Sequence, residues 1–235
     1  MSPEPAVNIS YFSDILCVWA YFAQIKLDQI RQDFGPQLQL RHHLISVFGD
    51  VEGKIGDSWK ERGGVEGYRR HVHQIAERFP HAGIHPEVWK SPVPASSASC
   101  HLLLKAAQLL ESAGESSSES MREHGGNTPV EELIWRVRSA FFRDARDICS
   151  TEIQAEIADD LGIPTGRLRS EMDDGRAFAA LFADAELQTT HLIQGSPTFL
   201  LNEGRQKLYG NVGYRIIRAN LEELLEGPED LASWC

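Results

Sequence analysis

Hydrophobic and polar residues alternate at the start of the chain. Ala6 to Phe12 puts Val7, Ile9 and Tyr11 on one face and Asn8 and Ser10 on the other, which predicts a short strand ending at Ser13-Asp14. From Trp19 to about Asp33 no Pro or Gly intervenes, and Phe22, Ile25, Leu27 and Ile30 recur at roughly helical spacing until Gly35-Pro36 stops the element. Alternation returns from Leu38 to Ile45, so the opening reads β-α-β, and a crossover of that length implies a parallel, right-handed unit.

Between about Gly53 and Gln194 the period is helical, as in Leu103, Ala106, Ala107 and Leu110 or in Phe178, Leu181, Phe182 and Ala185. Within that block the small, polar run from Ser112 to Asn127 has no anchors for a core and predicts a flexible loop near 112–128. After Gln194 the pattern changes again. Thr198 to Leu201, a turn at Asn202-Glu203-Gly204, and Gln206 to Tyr209 predict a hairpin, followed by a helix from about Tyr214 to Glu226. The expected architecture is α/β: a four-stranded sheet domain built from residues 1–52 and 191–235, interrupted by an inserted helical domain, 53–190, that forms a lid over Cys17.

Composition narrows the partners. The chain of 235 residues carries 34 acidic against 23 basic side chains, and a net charge of −11 repels phosphate backbones and anionic lipid, so neither nucleic acid nor membrane is an expected partner. No apolar run approaches the roughly 18 residues needed to cross a bilayer. Ile15 to Ala23 makes a poor signal peptide, because no Lys or Arg precedes Lys26 and Asp14 abuts the run. The four cysteines, Cys17, Cys100, Cys149 and Cys235, are too few and too irregularly spaced for a disulfide scaffold or a zinc site. A soluble protein of the reducing cytoplasm is expected. Among nine His no pair has i, i+4 helical spacing free of Gly or Pro, so a metal site is disfavoured.

Cys17 falls where the first strand meets the first helix. Unpaired N–H groups at a helix start stabilise an anion, so the position predicts a lowered thiol pKa and a nucleophile. A second feature is Gly195-Ser196-Pro197-Thr198-Phe199, where a Pro is confined to an edge or strand start, and a cis bond before it would turn the backbone of Ser196 outward to pair with an extended peptide. Cys100 opens a helix, and Cys149 precedes Ser150-Thr151-x-x-Gln154, which predicts a cap with Gln at N3; both thiols read as buried filler. Cys235 ends the chain, and a terminal tail could carry it to Cys17 as a resolving thiol. His42 and His43 are adjacent on the second strand, point to opposite faces, and read as structural.

Phe12-Ser13-Asp14-Ile15-Leu16-Cys17-Val18-Trp19-Ala20-Tyr21-Phe22 resembles the segment of DsbA-like thioredoxin-fold oxidoreductases that ends a strand in Ser-Asp and continues Cys-Pro-Trp-Cys-Tyr. Gly195 to Phe199 is similar to that family's cis-proline loop, and Ser91-Pro92, Asp147-Ile148 and Leu208-Tyr209-Gly210 keep the family's order. The likeness is strongest to the FrnE-like branch, which shares its fold with kappa-class glutathione transferases and 2-hydroxychromene-2-carboxylate isomerases. The resemblance implies a thioredoxin-like fold with a large helical insertion, a catalytic Cys17, and a thiol-peptide site at Trp19, Ser196 and Pro197. It also implies glutathione as co-substrate without a bound cofactor, a small thiol or disulfide substrate, and leaves room for a homodimer.

The departures matter as much. Ala20 stands where the family has its resolving Cys, and Val18 where it has Pro. A dithiol oxidase closes its cycle with that second thiol, so Ala20 implies a monothiol site. Two rivals share the same residues: a glutathione-dependent isomerase or transferase of the chromene-carboxylate or kappa kind, and a non-catalytic module that binds thiol peptides.

Overall fold

The computed structural model describes residues 7–115 and 127–226. Cys235 and most of the serine-rich loop near 112–128 lie outside the described residues. Strand β1 (Val7–Ser13) leads into α1 (Val18–Phe22) and α2 (Gln24–Phe34), and β2 (Leu38–Leu44) returns parallel to β1 with Val7 opposite Leu38 and Ser13 opposite Leu44. Strands β3 (Thr198–Leu201) and β4 (Gln206–Tyr209) complete a sheet of order β2-β1-β3-β4, with β3 antiparallel to both of its neighbours. Between β2 and β3 run α3 (Gly64–Ala76), α4 (Ala98–Ser112), α5 (Pro129–Phe142), α6 (Thr151–Asp159), α7 (Thr165–Asp173) and α8 (Arg176–Thr190); α9 (Tyr214–Leu225) is the last element among the described residues. This is a thioredoxin-like sheet carrying a helical insertion.

Pleating assigns the cores. Val7, Ile9 and Tyr11 on one face of β1 pack with Leu27, Ile30 and Phe34 of α2 and with Ile217, Leu221 and Leu224 of α9. Phe12 on the other face meets Ile45, Ile193 and Leu200. Burying each such side chain contributes about 1.5–3 kcal/mol, which fixes the register because a one-residue slip would expose the whole set. The largest core joins Ile15 to Phe22 with apolar side chains of α3 to α8, so the inserted helices surround the segment that bears Cys17.

Two local readings change. The sequence predicts one helix from Trp19 to Asp33, whereas the structure breaks it at Ala23, whose carbonyl accepts from both Lys26 and Leu27. The cause is a change of environment: Val18, Ala20, Tyr21 and Phe22 are all buried, while α2 buries only Leu27, Ile30 and Phe34, and the break lets the second helix turn one face to the sheet. Helix α8 forms as expected, but Phe178 and Phe182 are 59% and 66% exposed, so its apolar stripe is not the core-facing side. The hairpin loop is longer than a two-residue turn, since Leu201 pairs with Gln206 and residues 202–205 lie between them. Asn202, Glu203 and Gly204 take φ of 43°, 60° and 109°, and the Asn202 side-chain oxygen accepts from the Asn8 N–H at 2.9 Å.

Candidate active site

The site is built around the turn between β1 and α1. Asp14 is fully buried, and its carboxyl oxygens accept from the Leu16 N–H at 2.8 Å, the Phe48 N–H at 2.7 Å and the Ser97 hydroxyl at 2.9 Å. The next N–H, of Ile15, donates to Nε2 of His101 at 3.1 Å, and the Cys17 N–H donates to the Asp14 carbonyl at 3.2 Å. The Nε2 of His101 is thus an acceptor, and burial pushes its pKa down and holds the ring neutral. Each donor in the turn is paired, so the residue before the helix has one defined position.

Ser196 meets this turn from the other end of the chain. Its hydroxyl accepts from the Asp14 N–H at 2.9 Å, and its carbonyl accepts from Sγ of Cys17 at 3.3 Å. The Ser196-Pro197 bond is cis, the Thr198 hydroxyl donates to the Gly195 carbonyl at 2.7 Å, and the Gly210 N–H donates to the Pro197 carbonyl at 2.8 Å. A side chain at 195 would meet the Tyr209 hydroxyl at 3.0 Å, so Gly195 gives the loop its close approach to β4. Cys17, Ser196 and Pro197 therefore come together across 179 residues of sequence. Trp19 is half-buried, its ring set edge-on against Phe22 and Phe79.

The electrostatics correct one expectation. Cys17 is only 5% exposed, and burial pushes its thiol above the ordinary value; Ser196 and the backbone N–H groups of Ala20 and Trp19 pull the other way without overcoming it. The helix start does act as the sequence reading expects, but α1 has five residues and the loss of solvation around the sulfur is larger. The resting group is a neutral thiol that donates to Ser196.

Sequence reasoning missed Arg138. This α5 side chain is fully buried, its Nη2 donates to the Ser13 hydroxyl at 2.7 Å, and its Nε and Nη1 find no acceptor among the described residues. It lies within electrostatic reach of Tyr11, Cys17 and Asp14. A buried cation with unused donors beside a thiol favours the thiolate once the proton leaves. The only signal in the sequence was an Arg between Val137 and Ser139, inside a run otherwise apolar on its inner face.

His42 and His43 split as the pleat requires. His43 Nδ1 lies 2.8 Å from Asp184 of α8, whose other oxygen accepts from the Leu44 N–H at 2.8 Å and from Lys105 at 2.9 Å. His42 stacks edge-on to Tyr11, and burial, with Arg138 and Arg31 nearby, pushes its pKa down to about 3. Cys100 and Cys149 are not independent filler: Cys100 is buried, Cys149 is half-buried, and each sulfur engages the other's segment. The helix cap also differs from the expected one, since the Ser150 hydroxyl accepts from the Ile153 N–H and Gln154 turns inward to the Ile148 carbonyl. Among the described residues no group of three or more His, Cys, Asp or Glu side chains is placed to hold a metal ion, and no helix is long and apolar enough to cross a membrane.

The family model of the DsbA-like thioredoxin domain matches residues 8–222. The chain belongs to that family. Its members are thiol–disulfide oxidoreductases. No curated protein matches the chain closely enough to count as a relative. Among solved structures, a Nitrosomonas europaea protein that carries a provisional protein disulfide isomerase name is similar at TM-score 0.71 and 15% identity, covering 95% of this chain and 99% of the other. The cytosolic disulfide reductase DsbM from Pseudomonas aeruginosa, solved with glutathione, is similar at TM-score 0.66 and 19% identity, covering 93% and 99%. A 2-hydroxychromene-2-carboxylate isomerase is similar at TM-score 0.64 and 16% identity, covering 96% and 100%. At these identities the DsbA-like likeness to all three is one of fold.

Proposed function

We propose that this DsbA-like protein reduces disulfides through a single thiol, Cys17, with glutathione as co-substrate, in a reducing cytoplasmic compartment. The observation that carries the reading is the contact of Cys17 Sγ with the Ser196 carbonyl at 3.3 Å, with Ala20 and no second sulfur at the family's resolving position. The thiolate of Cys17 attacks a substrate disulfide, one S–S bond forms as another breaks, and the departing thiolate takes up a proton. A glutathione thiolate then attacks Cys17 sulfur and releases the second substrate thiol. A second glutathione attacks the resulting adduct and frees Cys17 with glutathione disulfide, so two glutathione thiols supply the two electrons. When the Cys17 proton leaves, the Ser196 carbonyl loses its donor and can accept an N–H from the docked peptide, which couples docking to activation.

A second reading has an observation behind it. A thiol pushed up by burial suits a module that binds thiol peptides without turnover. The isomerase or transferase reading is supported by likeness of fold alone. The test is reduction of hydroxyethyl disulfide with and without glutathione, alongside glutathione calorimetry, for wild type, Cys17→Ser, Cys235→Ser and Ala20→Cys. Turnover that requires glutathione and Cys17, is indifferent to Cys235→Ser and escapes the glutathione requirement in Ala20→Cys is expected. Binding without turnover transfers the conclusion to the module, and equal turnover without glutathione overturns the monothiol cycle.

A further inference from the structure

Two thiols outside the Cys17 site cross each other's chain segments. Sγ of Cys100, in the first turn of α4, donates to the carbonyl of Ile148, the residue before Cys149, at 3.0 Å. Sγ of Cys149 donates to the carbonyl of Ser96, on the approach to the same helix, at 3.4 Å. Gln154 of α6 clamps the crossing: its amide donates to the Ile148 carbonyl at 2.8 Å and reaches the Ser99 hydroxyl at 3.4 Å and Cys100 Sγ at 3.7 Å. The two thiols perturb each other's titration, and neither is joined in a disulfide.

We infer that Cys100 and Cys149 form a second redox site, a dithiol that closes to an intramolecular disulfide when a small disulfide such as oxidised glutathione is in excess. The division of labour follows from position. Cys149 is half-buried and open to the oxidant, whereas Cys100 is buried and closed to it. The interaction between the two sulfurs brings the Cys149 pKa down to about 7 and raises that of Cys100, so Cys149 is the thiol that attacks first. The Cys149 thiolate attacks glutathione disulfide; its S–S bond breaks, a Cys149–glutathione bond forms, and one glutathione thiolate leaves. Cys100 then attacks the Cys149 sulfur, and the second glutathione thiolate departs with the Cys100 proton. Two protein thiols lose two electrons and two protons, and one glutathione disulfide becomes two thiols.

The test uses the full-length protein equilibrated with graded mixtures of reduced and oxidised glutathione, quenched in acid, unfolded in denaturant with excess N-ethylmaleimide at near-neutral pH and mapped by mass spectrometry. Labelling of both Cys100 and Cys149 is expected to be lost together as the oxidised form rises, and a cross-linked peptide pair two hydrogens lighter to replace them. Cys100→Ala is expected to trap a glutathione adduct on Cys149, and Cys149→Ala to leave Cys100 fully labelled. The wild-type map stands without either variant. Persistent labelling of both thiols in excess oxidised glutathione, a glutathione adduct on wild-type Cys149 that never closes, or pairing of either sulfur with Cys17 or Cys235 would overturn the inference.

Discussion

Arg138→Met is expected to make the protein more stable and Cys17 less reactive. Arg138 is completely buried and its guanidinium donates to a single hydroxyl, that of Ser13. Burial accordingly pushes its pKa down. Desolvating such a cation costs several kcal/mol, and apolar replacement of buried charge is often stabilising by about 1–4 kcal/mol. At this chain length each kcal/mol shifts the thermal midpoint by about 2–4 °C, so a rise of a few degrees is expected. The sulfur responds in the opposite direction. Arg138 is charge-coupled to Cys17, and each pKa unit of such coupling is worth about 1.4 kcal/mol. Removing it therefore lifts an already raised thiol further. At fixed neutral pH the thiolate fraction, and with it the rate of iodoacetamide labelling at Cys17 resolved by peptide mapping, falls about tenfold for each pKa unit of that rise. Arg138→Lys keeps the charge and should retain most of the rate. A Cys17 labelling–pH curve that superposes on the wild type would refute the electrostatic role, and a midpoint lowered by several degrees would show that Arg138 is structural.

Asp14→Ala leaves the buried N–H groups of Leu16 and Phe48 without acceptors. At about 1–3 kcal/mol for each orphaned donor, the loss is expected to be about 2–6 kcal/mol by urea unfolding, and a loss below about 1 kcal/mol would mean that water replaces the carboxyl. Asp184→Asn strips the buried Lys105 ammonium of its charged partner and should cost about 3–5 kcal/mol, much of it restored in the double variant with Lys105→Met. Without that recovery the Lys105 charge is not the cause. His42 supplies a pH dependence: its folded pKa, about 3, lies below the unfolded value, so the unfolded chain binds the extra proton first. Its contribution is fully present above the unfolded pKa of about 6.5 and is lost at about 1.4 kcal/mol per pH unit as pH falls from there toward the folded value. His42→Gln should flatten the urea-midpoint profile between about pH 6.5 and 4.5, and an unchanged slope would assign the acid sensitivity elsewhere.

The strands were legible because their period is local. Val7, Ile9 and Tyr11 need only a pleat and a core, and the turn chemistry of Asn202 to Gly204 needs only its own φ angles. The meeting of Cys17 with Ser196 was legible through the motif resemblance, which carries long-range information that periodicity lacks. The break at Ala23 was not, because no Gly or Pro marks it and the cause is the change from a wholly buried α1 to a one-sided α2. Arg138 was hidden by its type, since an Arg on a helix ordinarily reaches solvent, and only the fold shows that this one points at Ser13. The Cys100–Cys149 crossing spans a separation that no spacing rule covers.

The polar contacts around Cys17 come from segments far apart in the chain, and on the proposed function this is how a buried thiol serves as the working group. Ser196 holds Asp14 from beside β3, Phe48 from beyond β2, Ser97 and His101 reach residues 14 and 15 from α4, and Arg138 reaches Ser13 from α5. Burial disfavours the thiolate, yet the same low-dielectric surroundings strengthen the pull of Arg138 and of the Trp19 and Ala20 N–H groups on that thiolate. The balance at rest lies with the neutral thiol because burial costs the thiolate more than these supports return, and the thiol proton rests on the Ser196 carbonyl. A ligand that takes that carbonyl removes the neutral form's main hydrogen bond and leaves the thiolate's supports in place. On the function proposed above, reactivity is then conferred by the docked peptide, and a site without a resolving cysteine stays quiet until the molecule that will resolve it has bound.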